Sequence, residues 1–186
     1  MASELKELVK RCLSGEQAAM VELVQRFQGP VFGLCFRMLG QRQDAEDAAQ
    51  ETFVRVLKNL QRWDPERDFE PWLLAIAGNR CRTALASRRR RPTHRTLEIP
   101  LDDPQAQVDS GNLLAEELAR GLRQIRPEYR EAFLLFHEHE LSYEEIARLM
   151  HRPLGTIKTW IHRARLELIR DLQSRQVIEE PRHALH

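Results

Sequence analysis

The sequence predicts an all-α protein built as two small helical domains joined by a flexible linker. Three observations carry that expectation. Alternating β-branched runs are absent, and the good helix formers Leu, Ala, Glu and Arg dominate. Apolar residues recur at helical spacing in one segment after another. The periodicity then lapses once, from Pro92 to about Gly111, where Pro92, Pro100, Asp102-Asp103-Pro104 and Ser110-Gly111 read as a linker. The expected division is 1–92, a linker at 93–111, a second domain at 112–175 and a tail at 176–186. With 186 residues the chain is long enough to bury a real core.

In order, Leu5, Leu8, Val9 and Leu13 mark a first helix, ended at Ser14-Gly15. Met20, Val21, Leu23, Val24 and Phe27 mark a second, punctuated by Gly29-Pro30. Val31, Phe32, Leu34, Cys35, Met38 and Leu39 carry a helical pattern on to Gly40. Asp44 can cap the next helix, whose buried stripe is Ala45, Ala48, Ala49, Thr52, Phe53, Val56 and Leu60. Its opposite face holds Asp47, Glu51, Val54 and Lys58, with Gln50 beside them. An apolar Val54 among charges suggests a protein contact; a lone exposed valine fits as well.

The loop 61–70 contains Trp63, Asp64-Pro65 and Phe69, and Pro71 suits the first turn of the helix that follows. That helix starts with Trp72, Leu73, Ile76 and Ala77 and ends in arginines. Aromatics in a loop beside a basic helix suit single-stranded nucleic acid, with bases stacked and the backbone held by arginine. The same Trp63, Phe69 and Trp72 could equally plug a small core. Gly78 inside the helix costs about 1 kcal/mol relative to alanine.

Beyond the linker, Leu113, Leu114, Leu118, Leu122 and Ile125 make one helix, and Tyr129, Ala132, Phe133, Leu135 and Phe136 another after Pro127. Ser142 with Glu145 three residues on is a capping box that starts a short helix through Ile146, Leu149 and Met150. Pro153 and Gly155 break it, and Gly155 or Thr156 can cap the next, in which Ile157, Ile161, Ala164, Leu168 and Leu172 line one face. The other face carries Thr159, His162, Arg163 and Arg170, flanked by Lys158 and Arg165. Two short helices across a tight turn, the second with a basic face, read as a helix-turn-helix, whose second helix enters the major groove. Lys and Arg reach phosphate or guanine there, and Thr reaches several bases. A plain helical hairpin with a solvated face is the plainer alternative.

Formal net charge is only +1, so the local distribution is the informative part. Arg80, Arg82, Arg88, Arg89, Arg90, Arg91 and Arg95 crowd one stretch, while acids gather at 4–22, 44–51, 102–109 and 138–145. Such segregation predicts separate surfaces for cationic and anionic partners. Cys12, Cys35 and Cys81 have neither metal-type nor disulfide-framework spacing and read as buried thiols of a reducing compartment. No apolar run exceeds 72–77 and the N-terminus is charged, so neither a membrane span nor a signal peptide is expected. The linker, about 20 residues, could span roughly 65 Å when stretched. That is on the order of 19 base pairs at about 3.4 Å rise.

These residues together resemble the extracytoplasmic-function (ECF) sigma factors, the small two-domain class of bacterial RNA polymerase sigma subunits. DAEDAAQETF (44–53) resembles the family's region 2.2. FEPWLLAIAGNRCRTAL (69–85) resembles regions 2.3 and 2.4. RPEYREAFLLFHEHELSYEEIARLM with GTIKTWIHRAR resembles region 4. Their order and spacing single the family out, since the helix-turn-helix alone would also fit a LuxR-type regulator.

The resemblance implies a protein that binds core polymerase, recognises −35 and −10 elements and begins promoter melting. It implies docking on the β′ clamp through Asp47, Gln50, Glu51 and Val54. It implies −10 contacts from Trp63, Phe69, Asn79, Arg80, Arg82, Arg88 and Arg89, with Asn79, of the family's IAxN pattern, facing a flipped base. It implies −35 contacts from Thr156, Lys158, Thr159, His162 and Arg163. It further implies cytoplasmic localisation, an anti-sigma factor, often membrane-anchored, and no cofactor, metal or small-molecule substrate. Two departures stand out. Trp160 replaces an arginine common in the GTVKSR pattern and either packs inward or touches a thymine methyl. Thr83 replaces a common aspartate.

Two other classes of function are weaker fits. A DNA-binding regulator would need a holoenzyme that already carries a sigma subunit. A metal-dependent hydrolase would have to use His137, Glu138 and His139, which lack HExxH spacing and point different ways on a helix. Both histidines are expected on a helix surface near the contact between the domains.

Overall fold

The computed structural model describes residues 2–90 and 110–178. Most of the expected linker and tail lies outside them, as do Arg91 and Arg95. Every regular element described is helical. In order these are α1 (Ala2–Leu13), α2 (Gln17–Leu39), α3 (Arg42–Asn59), a 3-10 turn at Leu60–Arg62, α4 (Phe69–Arg90), α5 (Ser110–Gln124), α6 (Pro127–His137), α7 (Tyr143–Leu149) and α8 (Leu154–Ser174). The all-α fold class expected from periodicity is the one observed.

Helices α2, α3 and α4 pack on one another, with α1 against α2. Leu23, Val31, Leu34, Cys35 and Met38 of α2 meet Ala45 and Val56 of α3 and Leu73, Leu74, Ala77 and Cys81 of α4, all fully buried. Burying one such leucine contributes roughly 2–3 kcal/mol. In the second half α8 lies across α5, α6 and α7. Its stripe of Ile157, Ile161, Ala164, Leu168 and Leu172 is buried as expected. The halves also touch: α2 meets α5 and α6, and α4 meets α6 and α7.

The local boundaries differ from expectation in three places. Gly29-Pro30 does not end a helix; α2 runs through both. The buried stripe Phe27, Val31, Leu34, Cys35, Met38 passes unbroken beneath them, and tertiary burial outweighs the one hydrogen bond that proline removes. Asp44 does not cap α3, which begins two residues earlier at Arg42; it sits in the first turn, where a negative charge favours the helix dipole.

The third difference is the turn of the helix-turn-helix, which contains no glycine. Its stop is His151, in the left-handed region at φ 52°. The His151 N–H donates to Arg148 O (3.3 Å) and the Arg152 N–H to Ala147 O (2.9 Å), the paired bonds of a Schellman ending. Gly155 and Thr156 then fall inside the first turn of α8, behind Pro153.

Candidate nucleic-acid interface

Three surfaces emerge. On the first, α3 buries its alanine stripe and turns Asp47, Gln50, Glu51 and Val54 outward, Val54 at 50% exposure. These four line one depression with Arg55, Lys58 and Asn59. Thr52 stays inside because its hydroxyl donates to Ala48 O at 2.7 Å. Glu51 also lies 3.3 Å from Arg80 of α4, which ties this surface to the next.

The second surface is α4 and the loop before it. Trp63 and Phe69, expected as −10 contacts, are buried instead. The Phe69 ring lies 5.0 Å from Phe27, 5.4 Å from Trp63 and 5.5 Å from Trp72. The core plug is therefore the placement found. The physical reason is Phe27 on α2, whose ring completes an apolar pocket too favourable to leave unfilled.

Asn79 is exposed on α4. The arginines beside it have protein partners. Arg80 faces Glu51, and Arg82 pairs with Glu131 of α6. Arg88 pairs with Asp44 and donates to Leu39 O (3.2 Å) and Gln41 Oε1 (2.9 Å), joining the end of α2 to the start of α3. Burial lowers the Arg88 pKa from its ordinary value. The Arg89 side chain lies outside what is described.

The third surface is the exposed face of α8. Lys158, Thr159, His162 and Arg163 all face outward, with Thr156 half-buried. The Thr159 hydroxyl donates to Gly155 O (2.8 Å), so its oxygen remains to accept. Arg163 donates to the Tyr129 hydroxyl at 3.1 Å, which fixes the guanidinium against α6. Lys158 Nζ lies 5.7 Å above the Tyr143 ring.

Trp160 packs inward, half-buried, 5.8 Å from the Tyr129 ring, with the Arg152 guanidinium 5.8 Å over its indole. Sequence reasoning missed Arg152; the signal was its place in the turn, next to an unexplained tryptophan. It also missed Arg126, which with Tyr129, Arg163 and Arg170 lines a small basic hollow. His137 is exposed against Phe133, whereas His139 is nearly buried, its Nδ1 3.5 Å from Glu70. His139 therefore departs from the expected helix surface: α6 has ended, and the chain folds it in against the first half. Burial lowers its pKa below the usual histidine value.

Known proteins divide along the same lines. Residues 23–91 match Sigma-70 region 2 and residues 115–168 match Sigma-70, region 4. The chain is 31% identical to the ECF RNA polymerase sigma factor SigW of Bacillus subtilis, over 93% of this chain and 99% of that protein. It is 32% identical to the ECF RNA polymerase sigma-E factor of Haemophilus influenzae, over 89% and 94% of the two chains. A solved structure of CnrH in complex with the cytosolic domain of CnrY superposes with a TM-score of 0.65 at 26% identity, covering 90% of this chain and 96% of that one.

The fold and the match across both regions define a sigma-70 family transcription initiation factor. More narrowly, the chain belongs to the extracytoplasmic-function RNA polymerase sigma factors. Such a subunit binds core polymerase and directs it to promoters. No helix among the described residues is long and apolar enough to cross a membrane.

Proposed function

We propose that this sigma factor works through two modules, 1–92 and 112–175, tethered at 93–111 and followed by a tail at 176–186. Asp47, Gln50, Glu51 and Val54 dock on the polymerase β′ clamp. Asn79, Arg80, Arg82, Arg88 and Arg89 serve the −10 element, with Trp63 and Phe69 acting from below as the packed support of the loop. Thr156, Lys158, Thr159, His162 and Arg163 read the −35 duplex. The protein acts in the cytoplasm without catalysis of its own. An anti-sigma factor restrains it, as the CnrH complex with CnrY suggests by analogy.

The observation that carries this reading is the outward alignment of Asp47, Gln50, Glu51 and Val54 around one depression. Val54, half exposed in a depression otherwise lined by charged and amide side chains, is an apolar centre with a polar rim, the arrangement of a small contact surface. The test is transcription from purified core polymerase plus this chain alone. Wild-type protein should produce promoter-specific transcripts, and Asp47→Arg should lose polymerase binding while its circular dichroism stays unchanged. Unaltered co-purification of Asp47→Arg with core polymerase would refute the docking assignment.

A further inference from the structure

Tyr129, near the start of α6, is 7% exposed and packed against α8. Neighbouring side chains hold its ring. The Trp160 ring tilts against it at 38°, with the centroids 5.8 Å apart. The Arg126 guanidinium lies 5.8 Å from the centre of the Tyr129 ring. Trp160 in turn carries the Arg152 guanidinium, 5.8 Å over its indole, from the turn before α8. Cations and rings alternate along this ladder, and each such contact is favourable where water is partly excluded. The phenol oxygen is thereby held in one place.

That oxygen meets Arg163. Arg163 Nη1 donates to it at 3.1 Å across the contact between α6 and α8, although the arginine itself is exposed. The choice of acceptor matters. A carboxylate would hold the guanidinium more strongly and offset its charge, as Glu138 does for Arg37 and Glu117 for Arg175. A hydroxyl holds it and leaves the charge whole. Among the described residues no carboxylate lies within ion-pair distance of Arg163, nor of Arg126 or Arg170 beside it. A guanidinium has donors to spare: after the bond to Tyr129 enough remain for the paired contact with a guanine edge.

An untethered arginine on a helix surface samples many rotamers, so ordering it in a groove costs affinity and admits alternative contacts. A guanidinium already seated loses less on binding. We infer that Tyr129 is a positioning residue for −35 recognition: its hydroxyl, aimed by the Trp160 ring, presets Arg163 for one base pair of the duplex. The buried phenol touches no base itself. The inference rests on the assignment of Arg163 to the −35 duplex made above. It gives Trp160, which departs from the common arginine, a use that needs no contact with DNA.

The experiment uses the full chain and a library of duplexes randomised over the −35 window. Binding is measured for wild type, Arg163→Ala, Tyr129→Phe and the double variant, with melting by circular dichroism alongside. Arg163→Ala marks the base pair at which discrimination is lost. Tyr129→Phe keeps the ring and removes the oxygen. It should melt close to wild type and lose about fivefold in discrimination at that same base pair, part of what a paired arginine contact supplies. The slope of affinity against salt should stay the same, since no phosphate contact is removed. In the Arg163→Ala background Tyr129→Phe should add nothing, as expected of two residues that act as one unit. In DNA-free protein, relaxation of the Arg163 Nε–H group should show a rigid side chain in wild type and a mobile one in Tyr129→Phe. If Tyr129→Phe melts early, Trp160→Leu removes the ring that aims the phenol and should give the same localised loss.

Full discrimination by either folded variant overturns the positioning role and leaves Arg163 a reader in its own right. A loss spread over all base pairs, or one that persists in the Arg163→Ala background, makes Tyr129 a support of the fold alone and overturns it equally. If Arg163→Ala itself keeps every base preference, the −35 assignment beneath the inference falls, and Tyr129 has nothing to position.

Discussion

Replacing Phe69 with alanine separates the two roles available to the aromatics ahead of α4. The ring is 1% exposed and touches Phe27, Trp63 and Trp72 at centroid distances of 5.0–5.5 Å. Truncating a buried phenylalanine costs about 3–5 kcal/mol, and losing three ring pairs places this site toward the upper end. In a helical unit of this size about 1 kcal/mol moves Tm by roughly 4–8 °C, so the melting point should fall on the order of 20 °C. The assay is thermal unfolding of the full chain by circular dichroism, paired with single-stranded −10 binding at low temperature. The expected result is a large drop in Tm with binding retained by the folded fraction. A Tm within a few degrees of wild type, together with lost binding, would refute the packing argument and restore Phe69 as a base platform.

Two further predictions concern the second half and the thiols. Ser142 N–H donates to Glu145 Oε2 at 2.8 Å and the Ser142 hydroxyl accepts from Glu145 N–H at 3.2 Å, so Ser142→Ala should cost about 1 kcal/mol and weaken −35 duplex binding. The Ser142 hydroxyl, donating to Glu145 Oε2 at 2.6 Å, and then the Ser142 N–H hold the Glu145 carboxyl below its ordinary pKa, so their contribution is present above about pH 4.3 and lost as pH falls through the lower folded value. Acid titration of wild type against Ser142→Ala should show the difference shrinking only in that acidic window; a constant difference down to pH 2 would count against it. Cys12, Cys35 and Cys81 are all buried, and the Cys81 thiol is pushed up by its hydrogen bond with Cys35 and then by burial. Alkylation at neutral pH should modify none of the three in native protein and all three in denaturant.

Periodicity was most readable where burial is one-sided. The α8 stripe from Ile157 to Leu172 and the α3 face from Ala45 to Val56 follow directly from spacing, because each helix meets its neighbours along a single line. The outward residues on those helices were equally legible, since whatever is not on the stripe must face water or a partner. What local signals misjudged was punctuation. Pro30 is overridden by the stripe beneath it, and the turn after α7 stops on His151 rather than on Gly155. Least legible were pairings distant in sequence. Arg82 with Glu131, and Arg88 with Asp44, bring together residues whose partners no local period encodes. The same holds for Gly78, which is a defect in its own helix and becomes intelligible only when α6 is laid on top.

The inward seat of Trp160 has a practical consequence. The chain has three tryptophans, and Trp63 and Trp72 both sit around Phe69 in the other half. With those two changed to phenylalanine, a single indole remains, one residue from Thr159 and tilted against the Tyr129 ring. Its emission then reports on the rim of the groove-reading helix alone, so duplex loading can be followed in unlabelled protein by colour and intensity.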